Sequence, residues 1–214
     1  QFLRTRPERE LTAAPRLTFP LDERQPEGLL IPAQVNYVGK AINLHRHGFR
    51  VDGRALVINR YLRSAWLWDQ VRVQGGAYGG FCMIDPRSGQ FAMASYRDPN
   101  LEKTLSVYDR TASYLKNLQL DDREITRAII GAIGDMDAYL LPDAKGYLAM
   151  GRHLTGDSND RRQRLRDEIL STKLEHFHAF GEHMETFARH GHIVVMGASD
   201  KVSNLPDVKT IPVL

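Results

Sequence analysis

The sequence predicts an α+β domain in which an antiparallel sheet carries a layer of helices on one face. Short segments rich in β-forming residues and bounded by glycine or proline lie toward both ends of the chain, and several segments with apolar residues at helical spacing lie between them. The 214 residues are enough for one hydrophobic core. A composition of 42% hydrophobic and 26% charged residues is typical of a globular protein.

The first part of the chain differs from the rest. Residues 1 to 28 hold prolines and arginines among scattered apolar residues without a sustained period, which predicts an extended arm or interdomain linker. The folded domain is expected at residues 29 to 214. Its first strand is predicted at Gly28 to Val38, where Val35 and Tyr37 favour β structure.

The middle of the chain predicts a helix followed by a hairpin. Residues 55 to 68 lack glycine and proline and carry apolar groups at helical spacing, whereas valine, glycine and aromatic residues dominate from Val71 onward. Residues 80 to 84 and 90 to 96 are then joined by Asp-Pro-Arg-Ser-Gly, a turn signal. Helices are expected at residues 101–118, 121–136, 145–154, 158–170 and 172–187, and a last strand at 192–196.

The segment around four glycines at residues 75 to 80 is the candidate site. A strand with so few side chains would let another backbone approach at Gly75 and Gly76. Arg72 and Tyr78 flank the glycines, and a guanidinium and a phenol are suited to holding a carbonyl or carboxylate. The alternative is that Arg72 pairs with Asp69 and Tyr78 packs in the core. Trp66 and Trp68 are predicted to anchor the helix in the core.

Residues 67–80, Leu-Trp-Asp-Gln-Val-Arg-Val-Gln-Gly-Gly-Ala-Tyr-Gly-Gly, resemble the pitrilysin-like zinc metallopeptidases of the presequence-protease subfamily. Residues 31–40, 95–101, 128–137 and 141–147 are similar to further blocks of that subfamily, in the same order. In the family, four related domains form two halves of a closed chamber. This chain resembles the last domain, whereas the family's zinc site lies in the first.

The resemblance implies a C-terminal domain of a zinc oligopeptidase that lacks the zinc site and is inactive alone. Arg72 and Tyr78 match the family's arginine and tyrosine that hold the substrate carbonyl. The implied partners are unstructured peptides and the N-terminal catalytic half of the same polypeptide, without nucleic acid or membrane, in a bacterial cytoplasm or an organelle matrix. The alternative is a standalone peptide-binding or interaction module.

A histidine cluster suggests a metal site, but its spacing argues against one. His178 and His183 lie five residues apart with Glu182 between them, which places the two imidazoles about 140° apart around a helix. The inverted zinc motif requires a separation of four. We expect no zinc site in this chain, although the resemblance implies zinc in the full-length enzyme.

Two other site classes have weak support. The glycine segment follows a helix, whereas a phosphate loop precedes one and carries a different motif. The arginines at 161, 162, 164 and 166 alternate with acidic residues, which is typical of a solvated helix face rather than a nucleic-acid site. Cys82 is the single cysteine, so no intrachain disulfide can form, and its apolar neighbours predict a buried, unreactive thiol.

Overall fold

The computed structural model describes residues 25 to 213, so the predicted arm lies outside the described residues up to residue 24. Strands run at Glu27–Leu30 (β1), Asn36–Asn43 (β2), Gly79–Ile84 (β3), Gln90–Asp98 (β4), His192–Gly197 (β5) and Lys209–Pro212 (β6). Helices run at Gly53–Tyr61 (α1), Glu102–Asp109 (α2), Thr111–Lys116 (α3), Asp122–Met136 (α4), Pro142–Leu154 (α5), Asn159–Leu170 (α6), Leu174–His190 (α7) and Ser199–Val202 (α8).

The six strands form one mixed sheet in the order β3-β4-β2-β5-β1-β6. The first four are antiparallel neighbours, whereas β1 is parallel to both β5 and β6. The α+β prediction is confirmed, and the parallel pairs of β1 are the feature that the sequence pattern did not predict. The strand predicted at residues 28 to 38 is two strands separated around Pro32, and β1 already begins at Glu27.

The helices pack on one face of the sheet because alternate residues of the inner strands are buried there. Val38 and Ile42 of β2 and Phe91 and Met93 of β4 are almost fully buried. The facing stripe of α7 has large apolar residues every three or four positions, at Phe177, Phe180, Met184 and Phe187. Burying each such side chain contributes roughly 1.5–3 kcal/mol relative to leaving it exposed, so this contact is the centre of the core.

A buried lysine ties the sheet to the ends of two helices. Lys40 of β2 is 3% exposed, and its Nζ donates hydrogen bonds to Asp109 Oδ1 (2.6 Å) and to the carbonyl oxygen of Ala188 (2.7 Å). A buried ammonium group is costly unless it is paired in this way. The interaction therefore fixes the ends of α2 and α7 against the same strand.

The opposite face of the sheet has a different character. In β3, Cys82 points to the helices and is 2% exposed, whereas Phe81 and Met83 on the other face are 44% and 52% exposed. The predicted burial of Cys82 is confirmed, and burial raises the pKa of its thiol, which disfavours the reactive thiolate. Within residues 25 to 213, no helix has the length and apolar character needed to cross a membrane.

Candidate functional site

The helix that leads into the candidate site is longer than its sequence pattern predicts. Beyond Tyr61, α1 continues as two wider helical segments, Leu62–Trp66 and Trp68–Val73, whose hydrogen bonds span five residues instead of four. Such turns are rare and occur frequently at functional sites. The prediction that strand character begins at Val71 is therefore wrong, and Arg72 lies in the last helical turn.

The first two glycines form a tight turn rather than a strand, because β3 begins only at Gly79. A Cβ atom on Gly75 would lie 2.4 Å from the carbonyl oxygen of Val71, and Gly76 has a φ of +77°, which favours glycine. Asn100 Nδ2 donates a 2.6 Å hydrogen bond to the Gly75 carbonyl. The backbone that lies close to Gly75 is thus the end of the preceding helix. Close approach of a ligand backbone to Gly75 and Gly76 stays a prediction.

This turn places the two predicted site residues side by side at the surface. The Arg72 guanidinium carbon lies 4.4 Å from the centre of the Trp68 ring and 5.8 Å from the centre of the Tyr78 ring. Tyr78 is 66% exposed. Among the described residues, neither the guanidinium nor the Tyr78 hydroxyl has a hydrogen-bond or ion-pair partner. Both groups can therefore donate to a ligand without first breaking an internal contact.

The structural alternative for these two residues is wrong on both points. Asp69 does not pair with Arg72, because its Oδ2 accepts hydrogen bonds from Gln70 Nε2 (2.8 Å) and Gln74 Nε2 (2.7 Å). Tyr78 does not pack in the core. A cation stacked on an aromatic face keeps its hydrogen-bonding edge available, so the position of Arg72 is compatible with ligand binding.

Trp68 was expected in the core with Trp66 but lies beside the candidate pair, so that prediction is wrong for Trp68. Trp66 is a core anchor as predicted, since its ring stacks on Tyr114 at 4.2 Å and its Nε1 donates to Thr111 Oγ1 at 2.9 Å. Trp68 is instead 49% exposed and stacks on Arg72. The four-residue spacing of Trp68 and Arg72 could have predicted this contact, because residues at i and i+4 are neighbours on a helix.

The histidines of α7 serve separate contacts. His178 Nε2 lies 2.8 Å from the carbonyl oxygen of Leu118, and the His183 ring lies against the Phe49 ring, tilted by 32° with ring centres 3.8 Å apart. Burial lowers the pKa of His183, against the opposing effect of the Glu182 carboxylate. In the described part of the chain, no three histidine, cysteine, aspartate or glutamate side chains are arranged to hold a metal ion. The described residues therefore do not provide a zinc site.

Two of the four arginines of α6 pair with acids. Arg166 pairs with Asp137 through two hydrogen bonds, and Arg161 Nη1 lies 3.6 Å from Asp157 Oδ1. Arg164 is exposed on the same helix, far along the chain from the candidate site. It is a suitable control for substitutions of Arg72.

A comparison with protein-family models matches residues 26 to 200 to the PreP C-terminal domain. Among curated proteins, presequence protease 1, chloroplastic/mitochondrial, of Arabidopsis thaliana is 49% identical over 176 residues, covering 82% of this chain and 16% of that protein. Protein HypA of Clostridium perfringens is 34% identical over 182 residues, covering 85% of this chain and 19% of that protein. This chain thus spans less than a fifth of the length of either relative.

Solved structures agree on the fold. A peptidase M16 inactive domain from Pseudomonas fluorescens has a TM-score of 0.57 at 15% identity, covering 81% of this chain and 44% of that one. A protease from Helicobacter pylori has a TM-score of 0.59 at 13% identity, covering 81% of this chain and 45% of that one. The family-model match covers most of the chain, and the relatives align over the same region. The chain belongs to the presequence-protease family, as its C-terminal domain.

Proposed function

We propose that this domain helps a longer zinc-dependent oligopeptidase to bind its peptide substrate, and that Arg72 and Tyr78 hold the carbonyl group of the bond to be cleaved. In that longer polypeptide, the domain forms part of the wall of a closed chamber. The substrates are unstructured peptides, and the partner is the catalytic half of the same polypeptide. The presequence-protease relatives, of which this chain spans only a small part, support this assignment.

The observation that carries the proposal is the geometry of the pair. A helical cation and a phenol project from the two sides of a rigid glycine turn, with 5.8 Å between the guanidinium carbon and the ring centre. Both groups donate hydrogen bonds, and neither is used within the described structure. The guanidinium lies beside the ring that carries the hydroxyl, so both donors suit a single carbonyl group bound at this surface.

The chemistry of peptide hydrolysis explains what these two hydrogen-bond donors would contribute to the reaction. When water attacks a peptide carbonyl, negative charge develops on the carbonyl oxygen. A fixed phenol or guanidinium at hydrogen-bond distance stabilises that charge more than it stabilises the uncharged ground state. Arg72, as a full cation, also contributes to binding the substrate before reaction. Zinc is supplied by another part of the longer polypeptide, because the described residues do not hold it.

The test uses kinetics of the full-length protein on an unstructured peptide. We expect Tyr78→Phe to lower kcat by about 10² to 10³, the usual loss when one such donor is removed, while zinc content and thermal stability stay near wild type. Arg72→Ala is expected to raise KM as well as lower kcat. Arg164→Ala removes an exposed arginine elsewhere and is expected to change neither. Wild-type kcat/KM in both Tyr78→Phe and Arg72→Ala would show that the assignment is wrong.

A further inference from the structure

The ring of Tyr78 is the first of three aromatic rings that lead onto the open face of the sheet. It lies edge-to-face against Tyr96 of β4, with ring centres 5.8 Å apart. Tyr96 in turn lies edge-to-face against Tyr37 of β2, at 5.4 Å. Edge-to-face packing orients each ring by its neighbour. The candidate site is therefore continuous with the sheet face that the helices leave uncovered.

The strand register gives that face a groove. Phe81, Ala94 and Gly39 lie opposite one another across β3, β4 and β2, and Met83, Ala92 and Ala41 form the next such row. On the far side, β5 places Val194 opposite Gly39 and His192 opposite Ala41. We call this the sheet groove: its floor is Gly39, Ala41, Ala92 and Ala94, and one wall is Phe81 and Met83. Three strand spacings separate β3 from β5, so the backbones of the walls are about 14 Å apart.

The floor and the β3 wall of the sheet groove offer uncharged apolar surface near the candidate site, whereas His192 on the far side lies 3.6 Å from the Glu27 carboxylate. The floor and the β3 wall hold no ionisable side chain. The backbone groups of β2 and β4 are occupied by pairing with strands on both sides. Phe81, Met83 and Tyr96 nevertheless remain 44%, 52% and 40% exposed. A contiguous patch of exposed large apolar residues is a frequent mark of a binding surface.

We propose that the sheet groove is a subsite that takes a large apolar side chain of the peptide. This inference rests on the proposed function, because Tyr78 supplies the link between the groove and the bond to be cleaved. The groove begins beside Tyr96, because the ring of Phe81 lies against Gly79, the residue paired with Tyr96. An extended peptide advances about 3.3 Å per residue, so the 5.8 Å between the ring centres of Tyr78 and Tyr96 corresponds to about two residues. Side chains two positions apart point to the same side of an extended chain. The groove thus selects the residue about two positions from the carbonyl held by Tyr78.

The connection from Tyr78 through Tyr96 to the sheet groove indicates that the groove is filled by part of the bound peptide. A peptide whose carbonyl lies at Arg72 and Tyr78 and whose chain continues over the sheet passes Tyr96, because the Tyr78 and Tyr96 rings are in contact. Its backbone finds no open hydrogen-bonding groups on β2 or β4, so an apolar side chain is what gains from contact there. Coverage by another segment of the longer polypeptide, or by a second copy, would give different results in the test below.

The experiment measures kcat/KM of the full-length protein on two series of peptides that differ only in having phenylalanine or serine near the cleaved bond. The residue is varied at the second position on either side. We expect Phe81→Ser to lower kcat/KM for the phenylalanine peptide about tenfold, with less than a twofold change for the serine peptide. Ala94→Leu fills the floor without removing a contact and is expected to act in the same direction. Tyr147→Ser removes another exposed aromatic residue, 76% exposed on α5, and is expected to leave the ratio unchanged.

Equal effects on both peptides, or none, would overturn the proposal. Equal losses with a lower melting temperature would show that another segment covers the groove, and a change in oligomeric state would show a second copy there.

Tyr78→Phe, measured on both peptides, separates the two proposals. If it slows both equally while Phe81→Ser does not discriminate, the groove proposal alone fails. If Tyr78→Phe is silent and Phe81→Ser still discriminates, the proposed role of Tyr78 fails instead.

Discussion

At the residue scale, the surroundings of Arg72 decide whether its guanidinium is available to a ligand. Several arginines in the described part of the chain pair with a carboxylate, as Arg166 does with Asp137, and such a pair uses the guanidinium internally. Arg72 instead stacks on the ring of Trp68. Stacking orients the cation and leaves its N–H groups free, which is what a ligand-binding arginine requires.

The histidine that stacks on Phe49 predicts a pH effect on stability. Burial lowers the pKa of His183 in the folded chain below its usual value of about 6.5, although the Glu182 carboxylate raises it. The unfolded chain therefore binds the proton more tightly. The stability that comes from keeping His183 neutral in the folded chain is fully present above about pH 6.5. It is lost as the pH falls through the lower pKa that His183 has in the folded chain.

We expect His183→Gln to weaken the loss of stability between pH 7.5 and pH 5. The measurement is the urea midpoint of the chain at both pH values. His153→Gln, at an exposed position on α5, is the matched control and should leave the slope unchanged. An unchanged slope in His183→Gln would contradict the assignment of this effect to His183.

Helix ends show where local sequence signals succeed. At the start of α4, Asp121 Oδ1 accepts a hydrogen bond from the Glu124 backbone N–H (2.8 Å), and Glu124 Oε2 accepts one from the Asp121 N–H (3.0 Å). The three-residue spacing of Asp121 and Glu124 by itself predicts this capping box, because every contact in it is local. The same spacing at Thr172 and Glu175 also predicts a capping box, but α7 begins only at Leu174 and Thr172 does not cap it. Thr172 Oγ1 donates to the carbonyl of Ile169 at 2.8 Å, so it belongs to the end of α6.

The capping box of α4 gives a prediction about stability. Asp121→Ala removes the acceptor for one helix N–H and is expected to lower the free energy of unfolding by about 1 kcal/mol. Gln119→Ala, at an exposed position two residues earlier, is expected to change it by less than about 0.5 kcal/mol. Chemical denaturation of the two variants is the measurement. Equal stability of the two variants would mean that the cap contributes nothing.

Features that depend on distant contacts could not be predicted from the sequence. The helix expected at residues 101 to 118 breaks at Arg110 into α2 and α3, each packed differently against the rest. The wide turns after Tyr61 carry the helix to Val73, past the point where its composition changes. The parallel pairing of β1 with β5 joins residues more than 160 positions apart, and no local pattern encodes such a pairing.

At the scale of the whole molecule, the two faces of the sheet differ in what covers them. One face carries the helices and the core, in which Tyr108 and Phe91 are fully buried. The other face and the glycine turn beside it present Arg72, Tyr78 and the sheet groove. The chain spans 16% to 19% of the length of its first two relatives. We expect the bound peptide to lie between this exposed side and the catalytic half of the longer polypeptide.

The most direct test of the central claim is the affinity of the full-length protein for a phosphinic peptide, whose tetrahedral anionic group imitates the charge that develops on the carbonyl oxygen. If Tyr78 stabilises that charge, Tyr78→Phe should raise the inhibition constant of the phosphinic peptide by about 10² to 10³, in parallel with its loss of kcat. The KM of the corresponding uncharged peptide should change by less than about threefold. An inhibition constant equal to that of the wild-type protein would contradict the account, because Tyr78 would then make no contact that depends on the developing charge.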